Sequence, residues 1–277
     1  MRHLSRLSDH DSNQKIAEVI RSQKSFLIGR VGLCGDTAIA YTILSNRPLT
    51  QQFVYWIYNN NGWYGEPDFL RYSQMYGDAC KNADLQAYWN FPGFQEMEDF
   101  LVPESKTLLE PGSLESFRFD DPWTKELKGK KILVIHPFKE TIEKQLQIRD
   151  KIWQNQSVLP EAEYIVYQSV QSLGGVGPDN NWYGSYDRMC KEISEIDFDI
   201  ALLGCGAYGL PLCNYIKMTL GKGSIYIGGG LQLYFGIKGK RWDESTDVTK
   251  FYNNYWTRPF DNERSVNSMN VENGCYW

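Results

Sequence analysis

Residues 198–242 read FDIALLGCGAYGLPLCNYIKMTLGKGSIYIGGGLQLYFGIKGKRW, and the fold turns on this stretch. The apolar run 200–203 breaks into Gly204, Gly206 and Gly209, after which residues 211–220 carry apolar side chains at helical spacing. A second run, 225–227, breaks into Gly228, Gly229 and Gly230 before another helical pattern. Strand, glycine loop and helix therefore occur twice in succession. In open parallel sheets ligands sit beyond the carboxyl ends of the strands, where helix amino-termini offer unpaired N–H groups to an anion. The stretch predicts a site for a small anionic ligand that bears phosphate.

The same unit recurs upstream. Residues 26–28 form a short apolar run ending in GRVGLCGD (29–36), and 37–44 read as helix. Arg30 can hold a diphosphate bidentately, and Asp36 can orient a hydroxyl, act as a base, or simply cap the helix. Strand 132–135 ends at His136, and a helix runs from Glu140 to about residue 153. Of the three histidines, His3 and His10 lie in a polar amino-terminal arm, whereas His136 stands at a strand end, placed for a phosphate or hydroxyl or for fixing its loop.

Further strands are expected at 84–89 and 164–170. Helices are expected after caps at Asp11 and Ser12, over 48–63, from Pro67 through 69–76, over 94–101 and over 182–196. Glu66 and Asp68 flank one helix start, where they satisfy its dipole; Glu66 is also a second base candidate. The alternation implies an α/β fold, a mostly parallel sheet with right-handed crossovers and helices on both faces.

A single domain is expected over 1–277: an amino-terminal part (1–122) with the Arg30/Asp36 loop, a nucleotide-binding half (123–242), and a wrapping tail (243–277) that closes over the ligand. Within 1–122, residues 103–122 are a turn-rich connection.

Composition narrows the function. The chain has 277 residues, 42% hydrophobic and 23% charged, and a net charge of −5 that speaks against nonspecific nucleic-acid binding. A local basic cluster remains at Lys238, Lys240 and Arg241. Six scattered cysteines form no CxxC pair, no metal-ligand pattern and no disulfide framework. The polar amino-terminus and the lack of a ~20-residue apolar run predict no membrane span and a cytoplasmic location, in a host's cytoplasm if the source is viral. Aromatics make up 14% and gather in loops such as YNNNGWYGEPDF and NNWYGSYD, which suit sugar stacking or packing.

Gly204, Gly206 and Gly209 match G-x-G-x-x-G, but a dinucleotide site also wants an acid about 20 residues on. The next strand ends in YIGGGLQ (226–232), without Asp or Glu, so an NAD(P)-dependent oxidoreductase is disfavoured, as is a methyltransferase. HPF (136–138), GCGAYGLPL (204–212), GGGLQLYFGIKGKRW (228–242), YNNYWTRP (252–259) and the closing GCYW (274–277) together resemble the GT-D group of glycosyltransferases. That group includes bacterial surface-glycan enzymes and chains of large-virus glycan pathways.

The resemblance implies a Rossmann-like GT-D fold and transfer of a sugar from a nucleoside diphosphate sugar, usually a UDP-sugar such as UDP-xylose or UDP-glucose, to a hydroxyl of a glycan or glycoprotein acceptor. In relatives an Arg-any-Gly loop is followed by Asp-any-Glu, which binds a divalent cation, Mn²⁺ or Mg²⁺. Here Arg30 and Gly32 match, but the acid positions fall on Leu33 and Gly35, with Asp36 one residue late. Either Asp36 takes over in a shifted loop, or Arg30, His136 and the 238–241 cations neutralise the leaving group without metal.

Departure of a nucleoside diphosphate needs fixed donors or a cation, and an inverting attack needs a base. Asp36 and Glu66 are the base candidates. The donor contacts expected are Arg30, Gly32, His136, Gly204, Gly206, Tyr208, Gly209, Gly228, Gly229, Gly230, Gln232, Lys238, Arg241 and Trp242. A catalytically inactive or carbohydrate-binding relative is the competing reading, motivated by the missing acid pair and the aromatic loops.

Overall fold

The computed structural model describes the chain except for residues 1–5, 32–34, 67, 90–94 and 105. Its seven strands are β1 (Phe26–Arg30), β2 (Leu85–Ala87), β3 (Thr107–Leu109), β4 (Lys131–His136), β5 (Glu163–Gln168), β6 (Ile200–Leu203) and β7 (Gly223–Tyr226). They form one sheet of order β3-β2-β1-β7-β6-β4-β5, and every strand pair in it is parallel.

A parallel sheet needs cover on both faces, which is why β4 and β6 read as unbroken apolar runs. Phe26, Ile28, Ile132, Val134, Ile200 and Leu202 face one core, and Leu27, Leu133, Ile135, Ala201 and Leu203 face the other.

The helices are α1 (Asp9–Ser22), α2 (Gly35–Leu44), α3 (Gln51–Asn60), α4 (Phe69–Asn82), α5 (Gln95–Leu101), α6 (Lys139–Leu146), α7 (Arg149–Ile152), α8 (Trp182–Ser194), α9 (Gly209–Met218), α10 (Leu231–Tyr234) and α11 (Thr246–Thr249). Side chains of α1, α6, α7 and α10 fill the first core, and those of α2, α4, α8 and α9 the second. The chain is thus α/β and Rossmann-like, with helices on both faces. From β4 it steps outward to β5, whereas from β6 it steps the other way to β7. The crevice between β4 and β6 is therefore a switch point, where diverging connections leave room for a ligand.

Several boundaries differ from expectation. The cap of α1 is Ser8, whose Oγ accepts the Asp11 N–H at 3.1 Å, so the helix starts before Asp11 and Ser12. The helix expected from Glu140 to 153 divides into α6 and α7. Strand β3 lies unannounced inside the turn-rich connection, because three residues carry too little periodicity to read.

The aromatic loops mostly serve packing. Trp63 and Trp182 are fully buried and stack at 4.9 Å, and Trp182 stacks on Tyr208 at 4.6 Å with an interplanar angle of 1°. This column ties α8 and the loop after α3 to the loop after β6. Truncating it removes a large buried ring from a close-packed core. Trp182→Ala is expected to lower unfolding free energy by about 3–5 kcal/mol, read from urea titration.

Candidate active site

The carboxyl ends of β1, β4, β6 and β7 open into a cavity of about 640 Å³. Two glycines let these strand ends approach. A Cβ on Gly204 would lie 2.8 Å from His136 Cδ2 and 2.9 Å from the Gly228 carbonyl oxygen. Gly228 has φ +75°, and a Cβ there would stand 2.7 Å from Arg30 Nη1. No larger residue fits at either position without moving the wall.

Arg30 donates to the Ile227 carbonyl at 2.9 Å and lies over the Trp89 ring, 5.2 Å from its centroid. Neither partner cancels its charge. Arg118 and Arg241 also line the cavity, but each is paired with a lining carboxylate, Glu115 at 2.6 Å and Glu272 at 2.5 Å. Arg241 stacks on Tyr276, whose ring packs against Gly229. The tail thus supplies part of the wall, through Val271, Glu272, Tyr276 and Trp277.

Asp36 sits in the first turn of α2, 8% exposed, with Oδ1 accepting from Asn61 Nδ2 at 2.8 Å. Burial raises its carboxyl from the ordinary 3.8 to about 6, against the lowering effect of hydrogen bonds from Tyr72 and Asn61. The phenols of Tyr72 and Tyr226 are pushed well above their usual range, by burial first and by Asp36 second.

Gly35 explains why this acid falls one residue late. A Cβ there would stand 2.0 Å from Asn61 Oδ1, so the asparagine carboxamide fills the space a side chain at 35 would take. Among the described residues no group of three or more His, Cys, Asp or Glu side chains is arranged to hold a metal ion.

His136 is 2% exposed, and its Nδ1 accepts the Phe138 N–H at 3.1 Å, which leaves Nε2 as the protonated nitrogen. Burial depresses its pKa to about 3, so the ring is neutral and acts as a donor rather than a cation. Gln232 is fully buried; Nε2 donates to the Ile237 and Tyr276 carbonyls, and Oε1 has no partner.

The cavity gathers Arg30, Asp36, His136, Gly204, Gly206, Tyr208, Gly228, Gly229, Gly230, Gln232, Arg241 and Trp242 from the expected set. Tyr208 has one ring face stacked on Trp182, and Ser172 Oγ meets its hydroxyl at 3.1 Å.

Three expected residues lie outside the lining. Glu66 is exposed on the loop before α4. Lys238 holds its ammonium over the Tyr252 ring at 4.9 Å, because the bridge between Ile237 and Thr257 aims it toward the tail. Gly209 underlies Tyr226, where a Cβ would come within 2.1 Å of the ring, so its part is packing. Gly32 lies outside the described residues.

Sequence reading missed Asn61, Trp89, Glu115, Arg118, Gln171, Ser172, Glu272 and Tyr276 as cavity residues. Only the run of three asparagines before Gly62 and the closing GCYW offered any signal.

Residues 120–234 match the family model of the GT-D fold-like domain. This segment is similar to the GT-D fold-like domain. It supplies His136, the Gly204 and Gly228 loops and Gln232, whereas Arg30, Asp36 and the tail residues come from outside the matched segment. No curated protein and no solved structure matches the chain.

Because the folded state binds the Asp36 proton more tightly than the unfolded chain, the associated stability is full below pH 3.8 and is lost as pH rises through about 6. Asp36→Asn is isosteric and uncharged, so it is expected to be more stable than the parent by up to about 3 kcal/mol at pH 7.5. That advantage shrinks to nothing below pH 4 in urea titrations. His136 acts oppositely in both proteins: its neutral form is favoured by folding, and stability falls as pH drops from 6.5 toward 3.

Proposed function

We propose that the chain is a glycosyltransferase that moves a sugar from a nucleoside diphosphate sugar, a UDP-sugar by the family resemblance, to a hydroxyl of a glycan acceptor with inversion. The observation that carries this reading is the meeting of Arg30, the Gly204 and Gly228 loops and the buried Asp36 around one cavity at the switch point of a GT-D-like sheet.

The diphosphate lies between Arg30 and the backbone N–H groups of the two glycine loops, with Arg241 exchanging Glu272 for phosphate. Neutral His136 contributes an Nε2 donor to the same charge. As the bond between the anomeric carbon and the phosphate oxygen breaks, its electron pair leaves on the diphosphate, and fixed donors stabilise the developing charge without reorganising. The acceptor oxygen forms the new bond to the anomeric carbon from the opposite face and loses its proton to the Asp36 carboxylate.

A carboxyl raised to about 6 is ionised at neutral pH yet more basic than an exposed aspartate, which suits that transfer.

UDP is expected to bind the purified protein in calorimetry, and a panel of UDP-sugars to be slowly hydrolysed with water as acceptor. Absence of both, with and without Mn²⁺, refutes the reading. Arg30→Ala is expected to weaken UDP binding at least about tenfold, as loss of a charge-assisted hydrogen bond does. Asp36→Asn keeps UDP affinity and lowers turnover about 10²- to 10⁴-fold, the range for loss of a positioned base. In the parent the rate rises with pH through a limb near 6; the variant lacks that limb.

A further inference from the structure

A second cleft, of about 360 Å³, opens beside the main cavity at the carboxyl ends of β4 and β5, and the two share Pro137, Val170 and Gln171 as a common wall. Its volume lies within the range of small-molecule sites. Ser169, one residue beyond β5, continues the sheet ladder by donating its N–H to the His136 carbonyl at 3.2 Å. Its side chain is 4% exposed and Oγ has no partner; Gln171 Nε2 is likewise buried and unpaired. Buried polar atoms are ordinarily satisfied, so two unsatisfied ones on the wall of an open cleft point to a partner that arrives from outside.

The charged groups of this cleft are already hydrogen-bonded within the protein. Arg188 is bound to Asp179 at 2.8 Å and to Glu192 at 3.3 Å. Glu263, 5% exposed, accepts the Glu140 N–H at 2.7 Å and bonds the Thr141 hydroxyl, closing the amino-terminus of α6. What the cleft offers a ligand is a hydroxyl and an amide, with its one lining arginine already held by two carboxylates and so not free for an anionic group.

We infer that this cleft seats an uncharged, hydroxyl-rich ring of the acceptor, with Ser169 and Gln171 as its hydrogen-bond partners. The inference rests on the proposed transferase reading for the term "acceptor", although the cleft itself does not depend on the donor. The path from it toward the base is short in bonded steps. Gln171 adjoins Ser172, whose Oγ donates to the Gly62 carbonyl at 2.6 Å, and Asn61 next to Gly62 holds Asp36. An acceptor ring in the cleft thereby lies across the Pro137–Val170–Gln171 wall from the cavity that Asp36 lines.

The test is saturation-transfer NMR with methyl glycosides of glucose, galactose, mannose and xylose, on the parent, Ser169→Leu, which narrows the cleft and removes the hydroxyl, and Ser169→Ala, which only removes the hydroxyl. UDP calorimetry and thermal melting run on the same samples. At least one glycoside is expected to bind the parent, with affinity down at least tenfold in Ser169→Leu and a few-fold in Ser169→Ala, while UDP affinity stays unchanged. If Ser169→Leu melts early, Ser169→Ala decides alone.

Binding of no glycoside, equal binding to all three proteins, or tighter binding of glucose 6-phosphate than of methyl glucoside overturns the inference. Loss of UDP binding in the parent with the glycoside pattern intact overturns the donor reading instead and leaves the cleft standing.

Discussion

Everything in the site follows from how closely the strand ends approach one another at the carboxyl edge of the sheet. Gly204 leaves no room for a Cβ between His136 and the Gly228 carbonyl, and Gly228 leaves none before the Arg30 guanidinium. That closeness draws β1, β4, β6 and β7 around one cavity. Burial of the two side chains shifts Asp36 up and His136 down, one cause with opposite chemical result.

The cost of such a site is borne by packing elsewhere. A buried carboxylate destabilises the native state at neutral pH, and two aromatic-rich loops offset that by forming a column through Trp63, Trp182 and Tyr208. The column packs behind the loop after β6, on the face of the sheet away from the tail. On the tail side the wall is built from Arg241, Glu272 and Tyr276, an ion pair and a stacked ring at the surface. Surface pairs of this kind are weak, so this side of the wall is the easier one to rearrange.

The chain departs from the acid pair of its resemblance at Gly35, and the structure gives a steric reason for it. The Asn61 carboxamide occupies the volume that a side chain at 35 would need, and the same carboxamide donates to Asp36. One carboxylate and one amide stand here in place of two acids. The GT-D-like segment is likewise only part of the site, since Arg30, Asp36 and the tail enter from sequence outside residues 120–234.

Strand, glycine loop and helix in succession were legible because apolar runs and glycines are local signals: residues 200–203 and 225–227 gave β6 and β7, and 132–135 gave β4. The α/β class, the helices on both faces and most of the cavity-lining glycines came from that pattern alone. Neighbourhood across the sheet was not legible. Whether β1 lies beside β7, which brings Arg30 to Gly228, depends on which faces the helices cover, and no residue near Arg30 records it. For the same reason Glu66 and Asp36, both acids at helix starts, read alike in sequence, and only tertiary packing buried one at the cavity and left the other in solvent.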